Sequence, residues 1–180
     1  MRVAQPTPMP LLQEKRSVTY AIVFGIWVEV FVYCVLHDQY LIRISPEHFT
    51  VYHPPLWGIT DLTLLALAWA FRASIGPGLG LGLVALFLGR AGRRPKVAPT
   101  RMLKIVPWLL LATEAVGLAA GAWAWKTKQP LFPEDIYPDL TEPMLISQSI
   151  QLACYGTGLL VSLGFLAWIE KQRRKPEQAR

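Results

Sequence analysis

All three histidines of the chain fall within seventeen residues, as His37-Asp38, Glu47-His48 and Tyr52-His53. Neutral imidazole next to carboxylate is a donor set that zinc or copper accepts, so His37, Asp38, Glu47, His48 and His53 make a candidate transition-metal site. No other cofactor is suggested. The spacing names no metal family, because His48 and His53 stand five apart, which suits neither one helical face nor an HExxH arrangement. Histidines that only hydrogen-bond at a membrane interface are the competing reading. Locally, Ser45-Pro46-Glu47-His48 has the form of a helix start, with Ser45 as N-cap and Pro46 at the first position. The alternation from His48 to His53 instead resembles a strand.

A second set of chemically capable residues lies within long apolar runs. Glu29, Arg72 and Glu114 are the formally charged residues there, and a charge facing lipid costs several kcal/mol, of order 3 kcal/mol on insertion scales. They are expected to point inward and meet one another, as an arginine clamped between two carboxylates that fixes helix register, or as part of a proton or ion path. Glu29, Tyr33 and His37 recur at i, i+4 and i+8, which places them on one face of a helix. Gln148, Gln151, Tyr155 and Ser162 form a comparable stripe, and the two stripes are expected to face each other.

These residues need helices to position them, and the composition supplies them. Of 180 residues 53% are apolar and 17% are charged, with a mean hydropathy of +0.33, which is the balance of a membrane protein. Four segments have the roughly 20 apolar residues needed to cross about 30 Å of hydrocarbon. They run over 17–36, 61 or 69 to 89, 105–125 and 144–168. The predicted fold is an all-α bundle of four transmembrane helices with two irregular extracytoplasmic loops. Residues 1–16 form a cytoplasmic tail, 17–168 one transmembrane domain, and 169–180 a basic cytoplasmic tail. Orientation follows from charge. Arg2, Lys15, Arg16, Arg90, Arg93, Arg94, Lys96, Arg101, Lys104, Lys171, Arg173, Arg174, Lys175 and Arg180 share one side, and Arg43, Lys126 and Lys128 the other. By the positive-inside rule both termini are cytoplasmic, in the cell (inner) membrane.

Helix packing can also be read in part. Asp61, or Thr60, is the expected N-cap of the second span. Gly76-Pro77-Gly78 predicts a kink, and Gly76, Gly78, Gly80 and Gly82 provide a small face that matches Gly117 and Gly121 on the third span. Spans two and three are therefore expected to pack together.

Several functions are excluded. GxSxG, HExxH, Walker and GxGxxG contexts are missing, the His boxes of membrane di-iron enzymes are absent, and the two cysteines form no CxxC pair. Basic runs beside apolar segments orient helices, so nucleic acid is not an expected partner. Two classes remain. One is a non-catalytic bundle in the lipid bilayer that assembles with itself or with a larger membrane complex. The other is a transporter or metal-handling protein that uses the outer histidines and the Glu29, Arg72, Glu114 interior.

Overall fold

The computed structural model describes residues 14–174. Arg2, Lys175, Arg180 and most of the two predicted tails lie outside the described residues. Among the described residues the chain is all-helical, and four helices are long and apolar enough to cross a membrane: Arg16–Ile44, Leu62–Arg90, Pro99–Thr127 and Glu142–Arg174. The first is one unbroken helix, α1 (Arg16–Ile44). It passes eight residues beyond the predicted end at Leu36, because the pair His37-Asp38 that resembles a boundary is followed by Leu41 and Ile42, both fully buried.

After α1, Ser45 and Pro46 open a short helix, α2 (Pro46–Thr50), and the strand alternative is not adopted. The second long helix is built from α3 (Leu62–Ser74), a π-helical turn over Ile75–Leu79, and α4 (Gly80–Arg90). Asp61 caps α3, its carboxylate accepting from the Leu64 amide at 2.9 Å. The π turn falls at Pro77, which has no N–H for the regular ladder. The third is α5 (Pro99–Leu103) followed by α6 (Val106–Thr127), and the fourth is α7 (Glu142–Arg174).

Pairing of the helices differs from expectation. The predicted packing of spans two and three through their glycines does not occur. Gly78 and Gly82 lie against Trp27 and Val23 of α1, Gly117 and Gly121 lie against Cys154 and Ile150 of α7, and Gly76 and Gly80 face open space. Gly78 with Gly82, and Gly117 with Gly121, permit close approach, but spacing does not specify the partner. The chain is thus two tight pairs, α1 with α3–α4 and α6 with α7. They join through α4 on α7, and more sparingly where α1 meets α6.

Each end of the molecule has its own apolar core. Ile22, Ile26, Leu86, Met102, Phe165 and Ile169 pack near the end that carries Arg16, Arg90 and Arg174, termed the basic end below. Leu41, Ile42, Phe49, Leu56, Leu65 and Ile150 pack near the far end.

Polar groups close the basic end. Arg173, only 3% exposed, donates from Nε to the Pro95 carbonyl at 3.0 Å, and its two terminal nitrogens reach the carbonyls of Leu88, Ala91 and Arg94. These include carbonyls that the end of α4 leaves without helical partners. Glu14 accepts a bidentate pair from Arg90 at 2.9 and 3.1 Å and a further bond from Lys96 at 2.6 Å. Those cations hold its carboxyl well below the usual range, at about 2. At the far end the two connections touch where the Tyr52 hydroxyl donates to Asp139 at 2.7 Å. The longer connection has a single 3₁₀ turn, Glu134–Ile136, and is otherwise irregular.

Candidate functional site

The face of α1 that carries Glu29, Tyr33 and His37 does not close against a neighbour along its length. Opposite it stand Pro107, Leu110, Leu111 and Glu114, one face of α6, and between the two runs a groove of about 570 Å³. Its rim is formed by side chains on the outer surface of the bundle, Leu36 (67% exposed) and Leu111 (60% exposed) among them. The groove therefore opens sideways, between helices. Its lining is apolar apart from Glu29, Tyr33, His37, Tyr40 and Glu114.

These polar residues behave in two ways. At one end Glu114 is fully engaged: Oε1 accepts from the Tyr40 hydroxyl at 2.6 Å, and Oε2 lies 3.0 Å from Nδ1 of His37. The same His37 nitrogen lies 3.2 Å from the Tyr40 oxygen, so the three side chains form a closed triad. Toward the other end Glu29 is partly buried, and its Oε2 has no hydrogen-bond partner. The Tyr33 hydroxyl lies beside the Cys154 thiol and the Glu114 carboxylate and interacts with both. Buried polar atoms are nearly always paired, and a carboxylate oxygen without a donor in an apolar wall is costly.

Two predicted constellations are rearranged. Arg72 joins neither Glu29 nor Glu114. It lies on the exposed side of α3, with its guanidinium 5.2 Å from the Trp69 ring centroid. The reason is helical phase: α3 buries Ala66, Ala70 and Ser74 in one row, and Arg72 stands roughly 120–160° round the helix from that row. There it reaches back along the helix to an aromatic face, a cation–π contact.

The five proposed metal ligands do not converge either. His37 is turned into the triad because α1 continues through it, with Asp38 buried next to it. Glu47 is exposed on α2. His48, 2% exposed, has neither ring nitrogen paired, and its ring centroid is 4.7 Å from that of His53, which in turn packs 4.8 Å from Trp69. Burial, with His53 alongside, pushes the His48 imidazole down to about 4, so His48 sits in an aromatic stack as a neutral ring. Among the described residues, the one group of three or more His, Cys, Asp and Glu side chains with donor atoms close enough for a single ion is His37, Glu114 and Cys154.

Sequence reasoning found the stripe of Glu29, Tyr33 and His37 but missed Tyr40 and Cys154. Tyr40 continues the same face at i+11 from Glu29. Cys154 lies three residues beyond Gln151, next to the polar stripe on α7, and its thiol points at the Thr113 carbonyl of α6 at 3.7 Å. Of the predicted α7 stripe, Tyr155 lies within electrostatic reach of Asp38 and Cys34 of α1, while the two glutamines bond elsewhere. Gln148 donates to the Ile136 carbonyl, and Gln151 to the hydroxyl of Tyr155. Comparison with protein-family models, with curated proteins and with solved structures yields no match to this chain, so the function must be argued from the groove itself.

Proposed function

We propose that this chain is a small multi-pass integral membrane protein, with both termini cytoplasmic, that takes a single-chain amphiphile with an ammonium head from the bilayer into the groove between α1 and α6. The observation that supports it is Glu29: a carboxylate oxygen buried without a partner in the wall of an otherwise apolar groove that opens sideways. Ligand sites in apolar proteins are concave, mostly apolar, and carry a few polar groups that fix orientation. Both charged residues of this lining are acidic and neither Lys nor Arg contributes to it, so the complementary head is a cation that donates hydrogen bonds. The hydrocarbon body would lie along Val28, Val32 and Leu36 on one side and Leu110 and Leu111 on the other.

The assembly reading has less support. Gly78, Gly82, Gly117 and Gly121, the small residues best suited to joining a second chain, are used within this one. Assembly would have to rely on the open positions at Gly76 and Gly80 or on the loops.

Purified protein in lipid nanodiscs tests the proposal. Dodecylamine is expected to raise the melting temperature more than dodecanol, and dodecanoate is expected to have no effect. Glu29→Gln should remove most of the amine's advantage. Equal stabilisation by amine and fatty acid, or an amine response that survives Glu29→Gln, would overturn it.

A further inference from the structure

His37, Glu114 and Cys154 come from α1, α6 and α7, and their donor atoms lie within 4.8 Å of one another. We propose that they bind one zinc-type divalent ion, at a site that shares only His37 with the histidine set suggested by the sequence. Imidazole, carboxylate and thiolate are the three donor types zinc uses, at about 2.0–2.3 Å in a tetrahedron, so the donors of a filled site stand roughly 3.3–3.8 Å apart. His37 Nδ1 and Glu114 Oε2 are already 3.0 Å apart, and side-chain rotation would need to bring Cys154 closer by no more than about an ångström.

Charge favours the same occupant. One carboxylate and one thiolate cancel a divalent ion, leaving a neutral centre, the form an apolar interior tolerates. On binding, the Cys154 thiol loses its proton to water, the proton between His37 Nδ1 and Glu114 leaves as the imidazole takes its Nε2–H tautomer, and the freed lone pairs take the metal; no electron is transferred. Tyr40 donates to the other Glu114 oxygen at 2.6 Å, the kind of bond that fixes a ligating carboxylate. The Tyr33 hydroxyl stands beside Cys154 and Glu114, where it can bond a ligating atom or a fourth, water ligand. A soft sulfur donor disfavours magnesium and calcium. A bound ion would tie α1 to the α6–α7 pair across the side where the groove keeps them apart.

The site does not depend on the groove's taking an amphiphile, and its test reads Cys154 rather than Glu29. Cobalt(II) added to metal-stripped protein in detergent is expected to bind one ion per chain and to show a thiolate-to-cobalt charge-transfer band in the near ultraviolet. Cys154→Ser, a near-isosteric change, should abolish the band and weaken zinc binding at least tenfold. Glu114→Gln should weaken it comparably, whereas Cys34→Ser and the double variant His48→Ala with His53→Ala should leave band and affinity unchanged. The proposal is overturned if native protein shows no thiolate band, if Cys154→Ser binds zinc as tightly as native, or if the outer-histidine variant is the one that loses the metal.

Discussion

The basic end and the α1–α6 groove bury polar atoms in opposite ways. At the basic end a guanidinium reaches four carbonyls, and one carboxylate receives two cations. In the groove a carboxylate oxygen of Glu29 has no partner. Each arrangement matches its surroundings. Arg173 and Glu14 join three stretches of chain far apart in sequence, and their hydrogen bonds hold that junction. Glu29 and Tyr33 face a space that the fold itself does not fill. Around Arg173 and Glu14 the bundle thus uses its buried polar groups to hold the chain together, and in the groove it leaves hydrogen-bonding capacity unused.

The sharpest way to break this contrast is at Arg173. Arg173→Ala should destabilise the protein by about 3–5 kcal/mol, because several buried carbonyls lose a charged donor at once. Arg173→Lys should recover less than half, since an ammonium cannot reproduce the planar fork. Denaturant titration in detergent measures both. A loss below about 1 kcal/mol would mean that the basic end is not held as described.

Next in size is the packing beneath it. A Cβ added at Gly82 would lie 2.9 Å from the backbone of Val23, whereas one at Gly80 meets nothing within 4 Å. Gly82→Ala should cost about 1–3 kcal/mol by overpacking, and Gly80→Ala should be neutral or stabilise by up to about 1 kcal/mol through helix propensity. Equal effects at the two positions would contradict the pairing of α1 with α4.

Glu14 gives a smaller, pH-dependent effect. Its folded value of about 2 lies below the ordinary 4.5, so its contribution is complete above about pH 4.5 and is lost as pH falls through about 2. Its partners Arg90 and Lys96 are 13% and 26% exposed and so partly screened by water, and about 1–2 kcal/mol is expected. Thermal melts between pH 6 and pH 2.5 should converge for the native chain and Glu14→Gln as the pH falls. The opposite trend, divergence toward acid, would exclude the paired carboxylate.

The smallest effect has the opposite sign, which sharpens the comparison most. Glu29→Met should stabilise the unliganded protein by about 0.5–1 kcal/mol, because it removes an unsatisfied buried oxygen. A large loss of stability would show that Glu29 is a structural residue like Arg173.

Much of this frame was legible in the sequence. Span number, the Asp61 cap and the stripe of Glu29, Tyr33 and His37 follow from periodicity and capping chemistry, while the segment after Ser45 reads as either a short helix or a strand. Three things did not follow. The end of α1 was hidden because His37-Asp38 resembles a membrane boundary, while buried Leu41 and Ile42 carry the helix onward. The choice between Arg72 inside and outside depended on the phase of α3, which a uniformly apolar helix does not disclose. The meeting of His37, Glu114 and Cys154 depends on three helices crossing, and spacing along one chain is silent about neighbours.

The π turn over Ile75–Leu79 has a consequence for how this chain can vary in length. Ala66, Ala70, Ser74, Gly78, Gly82 and Leu86 are all buried, every fourth residue along the second long helix. In a regular α-helix a four-residue step overshoots a full turn by about 40°, so such a row winds steadily away from its partner. The wider turn takes back part of that rotation halfway along, so both halves keep their small residues toward the interior. It holds one surplus residue where the helix can accommodate it. Removing a residue from this segment is accordingly a change the fold can absorb, whereas removing one between Gly117 and Gly121 would swing half of α6 off α7 by about 100°.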